Sequence, residues 1–270
     1  LLARAGTTGL PLACMTVYGM HPTVLHEDSK LFSADFPGFT RRWLQATALP
    51  PSCPVVYHQG VAGNQSPRHV TQANTFAEAQ RIGENLGRSI AAAIQAVKFA
   101  ALGSVAAECA TIDLIPRDFP SVAEADAALR RSRSRFQQLV ADRTPRQEIR
   151  TAECDVFGAE KTALLARAAV DGSLAKAIVT ASPAEIQVIK INEWKFVAWP
   201  GEFFVEHGLA VKARSPNTFV ITLANGELQG YIATPEAVAR GVYEATNAIF
   251  KVENGPRFVE RTLALLAGGR

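Results

Sequence analysis

The sequence predicts an α/β fold: a layered domain with a mixed β-sheet flanked by helices. Short apolar runs with strand character alternate along the chain with longer segments of helical periodicity, which is the order typical of α/β proteins. Hydrophobic residues make up 48% of the 270 residues and charged residues 20%, so the chain can bury a substantial core. We expect one domain, 1–270, that is incomplete at its N-terminus, because the sequence begins directly with a strand–turn–strand pattern.

The predicted strands are apolar runs bounded by turn residues. The first is apolar almost throughout and ends at His21 and Pro22, where the proline disfavours a helical conformation for the histidine. The second runs into the segment 60–67, which is rich in Gly, Asn, Ser and Pro and is predicted to be a loop. The predicted strands are 12–20, 54–58, 105–115, 185–192, 195–199 and 218–223.

Helices are predicted where apolar residues recur every three or four positions. The clearest is 75–97, in which isoleucines and a leucine four residues apart line one face. The charged stretch 122–172 indicates two helices with a break near Thr144 and Pro145, and we expect them to form a peripheral helical hairpin. The other predicted helices are 38–47, 203–213, 236–250 and 256–267.

Composition and motifs disfavour several classes of function. The net charge is only +3, and the arginines at 130–135 lie in a helical pattern, which indicates a solvated helix face rather than a nucleic-acid patch. There is no nucleotide-binding P-loop or GxGxxG motif, and no apolar run approaches the roughly 20 residues of a membrane span. The four cysteines are widely spaced, so we expect buried free thiols, with one disulfide as the alternative; the compartment stays open.

The polar segments that could carry chemistry each follow a predicted strand. His21 follows the first strand, the loop 60–67 the second, Glu202 the hairpin of the next two, and Tyr231 the last. Ligand sites of open α/β sheets gather at the carboxyl ends of the strands. We therefore expect these four segments to converge on one cleft.

Each candidate residue also has a purely structural explanation. His21 is either a zinc ligand held at a strand end or a core histidine bonded to a backbone carbonyl. Glu202, in WPGEFF, either meets a metal, cation or substrate donor or is a first-turn acid of the next helix. Ser66, in VAGNQSPR, either binds a reacting group or is a turn residue. Tyr231 and Tyr243 are otherwise packing residues with satisfied hydroxyls.

Five segments, in order, resemble the neutral/alkaline non-lysosomal ceramidase family: YGMHPTVL, SADFPGFTRR, QGVAGNQSPR, VAWPGEFF and NGELQGYIATPEAVARGVYEAT. The resemblance runs from about residue 3 to residue 250 and is weakest over 122–172. It implies the catalytic domain of that family. It also implies zinc-dependent hydrolysis of an N-acyl (amide) bond, with release of a fatty acid and an amine such as sphingosine.

The resemblance implies a role for each candidate. His21 lies in a His-Pro-Thr motif, Glu202 follows Pro-Gly, and Tyr231 precedes IATPE, which match three of the family's Zn²⁺ ligands. Ser66 matches the active-site serine, which either positions a reacting group or acts as the nucleophile. Tyr243, in VYEAT, matches a tyrosine that contacts the substrate amide.

The resemblance is incomplete in two respects. The family's first zinc histidine belongs to an upstream motif that this chain does not contain, so a preceding segment or a separate chain has to supply it. We expect this fragment alone to bind zinc weakly and to be inactive. A preceding segment could also carry a signal peptide, which leaves a secreted or periplasmic location open. Asn64 stands where the family has Asp, so the identity of the substrate stays open.

The expected partners follow from this assignment. The substrate is a lipid or another N-acyl amide, a lipid substrate implies peripheral contact with a membrane, and nucleic acid is not expected. Two alternatives remain at this point: a hydrolase of the same fold that acts on another amide or ester, and a non-catalytic binding module.

Overall fold

The structure, a computed structural model, describes residues 1–26 and 29–268. The strands are β1 (Leu2–Arg4), β2 (Pro11–Tyr18), β3 (Val55–Gln59), β4 (Val105–Ile112), β5 (Ala184–Ile191), β6 (Trp194–Trp199), β7 (Glu202–Phe203), β8 (Thr218–Thr222) and β9 (Tyr231–Ile232). The helices are α1 (Asp35–Thr47), α2 (Phe76–Gln95), α3 (Val122–Ala141), α4 (Arg146–Val170), α5 (Ser173–Ala181), α6 (Val205–Arg214), α7 (Pro235–Arg240), α8 (Tyr243–Thr246) and α9 (Asn254–Gly268). A short 3-10 helix covers Pro67–His69.

The strands form mixed sheets flanked by helices, which confirms the predicted fold class. In the larger sheet, ordered β4-β5-β6-β8, the first three strands are antiparallel and β8 runs parallel to β6. A second sheet, β1-β2-β3, pairs β1 with β2 antiparallel and β2 with β3 parallel. The strands β7 and β9 form a small parallel ladder of their own. A bridge between Gly60 and Ile221 joins the end of β3 to β8.

The main core lies between the larger sheet and α9. Neighbouring strands place Val188, Val197 and Val220 side by side, and all three are buried. Trp199 is fully buried, with its ring centroid 4.5 Å from that of Phe203. Its indole nitrogen donates a hydrogen bond of 2.9 Å to Thr262 Oγ1 on α9, so the largest core side chain has no unsatisfied polar group. The core therefore fixes β6, and with it the segment that carries Glu202.

The helices α1 and α2 pack against the sheet that contains β2 and β3. Apolar residues from both layers form one cluster, which includes Leu44 from α1 and Val55 from β3. The predicted helix 75–97 is α2, and Thr75 caps its N-terminus by accepting a hydrogen bond from the Glu78 backbone N–H. This layer holds β2 and β3 in place, and their carboxyl ends lead to His21 and to the loop 60–67.

The charged stretch contains the two helices that the sequence predicts, α3 and α4, with the break at 142–145. Exposed ion pairs join Arg133 to Glu160 and Arg135 to Asp155, so these two arginines lie on solvated helix faces. The inner face of α4 contributes Leu165 to the main core.

Two helix predictions were wrong. The predicted helix 236–250 is divided into α7 and α8, because Gly241 adopts a left-handed conformation (φ 60°) and ends α7. The sequence analysis also missed α5, which begins directly after Asp171 and Gly172 end α4. The first long strand ends at Tyr18 rather than at residue 20, so that Gly19 and Met20 form the approach to His21.

The four cysteines are free thiols, which decides against the alternative of a disulfide. Cys14 and Cys53 are buried as expected, whereas Cys109 is exposed and Cys154 is partly exposed. Among the described residues, no helix has both the length and the apolar composition needed to cross a membrane.

Candidate functional site

The small ladder of β7 and β9 places two of the candidate residues next to each other. Glu202 and Tyr231 are direct partners in its parallel register, so their side chains leave the ladder on the same side. The adjoining strands β6 and β8 are also parallel, and both lead into this ladder at the same edge of the larger sheet. A carboxylate and a phenol that lie 29 positions apart in the chain are thereby brought together.

His21 reaches the same place from the other sheet. Its backbone N–H donates a hydrogen bond of 2.8 Å to the carbonyl of Gln65, which fixes the end of β2 against the loop after β3. Its Nε2 lies 3.7 Å from Glu202 Oε1, and its ring centroid is 6.2 Å from that of Tyr231, in an edge-to-face arrangement. His21, Glu202 and Tyr231 therefore meet at one point.

The histidine is not satisfied in the way that a core histidine would be. Its Nε2 is buried and has no hydrogen-bond partner among the described residues. Two ligands of one tetrahedral zinc ion, each about 2.0–2.1 Å from the metal, lie roughly 3.4 Å apart. The separation of 3.7 Å between Nε2 and the Glu202 carboxylate is close to that value. The imidazole and the carboxylate therefore suit a zinc ion in chemistry and in spacing, and the ring of Tyr231 lies beside them.

The protein side of such a centre is incomplete without further ligands. Within residues 1–26 and 29–268, no three His, Cys, Asp or Glu side chains cluster as a metal site. Tyr231 is the third side chain at this point, and a phenol is outside that set. The structural alternative for Glu202 was wrong: Glu202 lies on β7, and the acid in the first turn of α6 is Glu206.

The Glu202 carboxylate is in an environment that disfavours its charge. Burial raises its pKa, while the positive charges of His21 and Lys161 oppose the rise. Burial lowers the pKa of Lys161, and the charge of Glu202 opposes that effect in turn. This partly buried carboxylate, beside an imidazole whose Nε2 has no hydrogen-bond partner among the described residues, is a group that a bound cation would stabilise.

The second tyrosine, Tyr243, extends the site next to Tyr231. The ring centroids of Tyr231 and Tyr243 are 6.1 Å apart. Burial raises the pKa of both phenols, and the nearby Glu202 carboxylate adds to the rise in each case. Tyr243 is the first residue of α8, and α8 is held by Arg117, which donates a hydrogen bond of 2.8 Å to the carbonyl of Ala245.

The loop 60–67, here called the site loop, lies directly on β7. The Gly63 backbone N–H donates a hydrogen bond of 2.7 Å to the carbonyl of Phe203. The Asn64 side chain accepts a hydrogen bond of 2.9 Å from the backbone N–H of Val205, the first residue of α6, and donates to the Glu206 carboxylate at 2.9 Å. Asn64 therefore caps α6 from a distant part of the chain.

Ser66 lies in the site loop, but its contacts are local. It is exposed, and its Oγ accepts a hydrogen bond of 3.3 Å from the Arg68 backbone N–H, so that it caps the 3-10 helix. The residue before it, Gln65, is the one that bonds to His21. The structure thus brings together His21, Glu202, Tyr231 and Tyr243 and places Ser66 in the adjoining loop.

Sequence analysis missed the residues that support the site. Lys161 lies on α4, Arg117 follows β4, and neither stands in a motif that distinguishes it from the other cations of the chain. The roles of Gly63 and Asn64 were signalled only weakly, by the turn composition of VAGNQSPR. Arg117, Gly63 and Asn64 act through contacts with residues far away in the sequence, and Lys161 acts through its charge near Glu202.

Comparison with known proteins gives matches at the level of structure alone. No protein-family model matches the sequence, and no curated protein matches it significantly. The neutral ceramidase from Pseudomonas aeruginosa has a similar structure, with a TM-score of 0.61 and 17% sequence identity over 95% of this chain and 44% of that chain. A structure of a ceramidase complexed with C2 has a TM-score of 0.61 and 15% identity, over 98% of this chain and 47% of that one.

These matches confirm the ceramidase resemblance as a likeness of fold. At identities of 15–17% they carry no residue roles over to this chain, which spans less than half the length of either structure. The chain therefore has the fold of the corresponding part of the neutral ceramidases.

Proposed function

We propose that this chain is part of a zinc-dependent hydrolase of N-acyl amide bonds, with a lipid amide of the ceramide class or a related amide as substrate. The observation that carries the proposal is the buried, unbonded Nε2 of His21 at 3.7 Å from Glu202 Oε1, with Tyr231 alongside. The ceramidase fold supports the proposal, because the neutral ceramidase of similar structure is named for hydrolysis of a lipid amide.

Three residues of this chain would hold the zinc ion: His21 through Nε2, Glu202 through its carboxylate and Tyr231 through its phenol. When bound there, zinc lowers the pKa of a water molecule towards about 7 and polarises the amide carbonyl. A further histidine from a preceding segment or a separate chain would complete the ligand set. With only three ligands present, this chain by itself would hold the metal weakly and would be inactive.

Tyr243 would act on the substrate rather than on the metal. Its ring lies 6.1 Å from that of Tyr231. A phenol is protonated at neutral pH, so Tyr243 can donate a hydrogen bond to the carbonyl oxygen of the amide as negative charge develops on it. It would thus orient the substrate and stabilise the transition state.

Ser66 would position a reacting group through its hydroxyl. Because its Oγ accepts a hydrogen bond from the Arg68 backbone N–H, its own O–H is left to donate. A serine nucleophile needs a general base within hydrogen-bond reach, and no imidazole or carboxylate of the described residues bonds to Ser66. A positioning role is therefore the better supported of the two.

The proposal is tested by measuring zinc content and turnover of the full-length protein and of its His21→Ala and Glu202→Ala variants. We expect close to one zinc per chain and hydrolysis of a ceramide or another N-acyl amide in the wild type, and loss of both in the two variants. His69→Ala is the matched control, because His69 is exposed on the 3-10 helix and should leave zinc content and turnover unchanged.

The outcomes separate the alternatives. Retained zinc and full turnover in both variants would refute the assignment of His21 and Glu202. Stoichiometric zinc with turnover of aryl esters but not of N-acyl amides would indicate a hydrolase of the same fold with another substrate. A full-length protein without zinc and without turnover would indicate a non-catalytic binding module.

A further inference from the structure

Arg68 is a cation of the site region that has no anionic partner among the residues that the structure describes. It follows Ser66 and Pro67 and lies in the 3-10 helix. The one side-chain hydrogen bond of its guanidinium to a described residue is a long contact of 3.9 Å from Nη1 to the sulfur of Cys154, and a thiol is a weak acceptor. Its Nε is buried and has no hydrogen-bond partner in the described part of the chain.

The other arginines near α4 differ from Arg68 in this respect. Arg150 forms an ion pair of 2.7 Å with Glu153, and Arg133 forms one of 2.7 Å with Glu160. No carboxylate of the described residues pairs with Arg68. A guanidinium has five N–H donors in a planar fork that matches carboxylate, phosphate and sulfonate groups, so an unpaired, partly buried guanidinium is suited to a bound anion.

The position of Arg68 relates it to the proposed active site. Burial raises the pKa of the Cys154 thiol, and the charges of Arg150 and Arg68 oppose that rise, so both guanidinium groups lie near the sulfur. Burial also raises the pKa of Tyr243, and Cys154 adds to that rise, so the thiol lies near both Arg68 and Tyr243. Arg68 also follows Gln65 by three residues, and the Gln65 carbonyl accepts the hydrogen bond from the His21 backbone N–H, so Arg68 adjoins the site from the end of the site loop.

The guanidinium of Arg68 contacts Cys154, and among the described residues it forms no hydrogen bond or ion pair with His21, Glu202 or Tyr231. A substrate whose amide lies at the metal ligands would therefore reach Arg68 with another group of the molecule. Such a group would be held by the charge-assisted hydrogen bonds of the guanidinium.

We propose that Arg68 is a specificity-determining residue that binds an anionic substituent of the substrate, so that the enzyme prefers N-acyl amides with a negatively charged group over neutral ones. The inference rests on the proposed amide hydrolysis and deepens it, because it names the chemical class of the substrate. The shared chemistry is a single anionic group: a carboxylate, a phosphate or a sulfonate.

The test compares two amides that differ mainly in charge, N-dodecanoyl taurine and N-dodecanoyl ethanolamine, with the full-length protein. Equilibrium binding to metal-free protein and kcat/KM of the zinc-loaded enzyme are both measured. We expect the taurine amide to bind more tightly than the ethanolamine amide, and Arg68→Gln to reduce this preference by about tenfold, since hydrogen bonds to charged groups contribute at that level. N-dodecanoyl β-alanine and N-dodecanoyl ethanolamine phosphate show which anion fits best.

Two further variants make the result specific. Arg133→Gln removes the same charge from the exposed pair on α3 and should leave the preference unchanged, which excludes an effect of net charge. Arg68→Lys keeps the charge without the fork and should retain part of the preference. If Arg68→Gln does not fold, the salt dependence of wild-type binding is the test. Increasing salt should weaken the binding of the taurine amide and leave the binding of the ethanolamine amide unchanged.

Equal binding of the two amides by the wild type would overturn the proposal, and so would an unchanged preference in Arg68→Gln. The result is separable from the proposed function. Absence of hydrolysis of every amide would contradict amide hydrolysis, whereas the binding preference of the metal-free protein would still decide the role of Arg68.

Discussion

Replacing Gly63 by alanine should separate the site loop from β7 and weaken the fold together with the proposed zinc binding. A Cβ at Gly63 would lie 2.8 Å from the carbonyl oxygens of Glu202 and Phe203 and 2.8 Å from the Phe203 carbonyl carbon. All three are backbone atoms, which cannot rotate away as a flexible side chain can. The loop and β7 would have to move apart by roughly 0.6 Å to restore ordinary contact.

The expected magnitude follows from two contributions. Overpacking at a close backbone contact costs about 1–3 kcal/mol, and lengthening the 2.7 Å hydrogen bond from Gly63 to Phe203 adds about 1 kcal/mol. We therefore expect Gly63→Ala to lower the free energy of unfolding by about 2–4 kcal/mol. Because Glu202 is one of the displaced residues, zinc affinity should fall as well.

The assay is urea unfolding of the metal-free protein, together with competition for zinc against a chromophoric chelator. Gly6→Ala is the matched control, since a Cβ at Gly6 would meet no atom within 4 Å and should change stability by less than about 0.5 kcal/mol. If Gly63→Ala unfolded at the same urea concentration as Gly6→Ala and bound zinc as tightly as the wild type, the close packing of the site loop on β7 would be refuted.

Three further predictions concern the layers that hold the site. Trp199→Phe should lower the free energy of unfolding by about 2–4 kcal/mol, because it removes the hydrogen-bond partner of Thr262 and leaves a gap in the core. Urea unfolding measures this loss, and a change below about 0.5 kcal/mol would contradict the packing described. Thr75→Ala should lower the free energy of unfolding by about 1 kcal/mol, because α2 loses its N-terminal cap. Thr75→Ser is the control, since it keeps the capping hydroxyl. The hydrogen bond from Arg81 holds the pKa of Glu78 below its usual range, so Glu78 stabilises the fold above the unfolded-state pKa, and this contribution is lost as pH falls through the lowered folded-state pKa. The difference in free energy of unfolding between wild type and Glu78→Gln should accordingly be largest near neutral pH and should shrink as the pH falls. A difference that grew on acidification would contradict this assignment.

The elements with strong local signals were predicted well. The isoleucines and leucine at four-residue spacing give α2, and the break at Thr144 and Pro145 separates α3 from α4, because each is encoded by neighbouring residues. The segment 236–250 was predicted as one helix, whereas Gly241 takes the left-handed conformation that ends α7. The two-residue strands β7 and β9 have no periodicity to recognise.

In the candidate site too, the sequence indicates the individual residues but not their contacts. Each of His21, Glu202 and Tyr231 is recognisable by its place after a strand, and the order of the motifs resembles one family. Their structural alternatives could not be excluded from the sequence, since a core histidine and a first-turn acid look the same there. The Nε2 of His21, which has no hydrogen-bond partner among the described residues, argues against the core histidine, and the position of Glu202 on β7 excludes the first turn of α6.

The sequence by itself determined the alternation of strands and helices, the loops at the strand ends and the residue types that these loops carry, because backbone conformation depends largely on adjacent residues. Tertiary structure alone decided which of those side chains meet. Three contacts join residues that are distant in the chain: Glu202 with Tyr231, His21 with Glu202 at 3.7 Å, and Arg68 with Cys154. Such contacts depend on strand register and on packing between layers, and no local pattern encodes either.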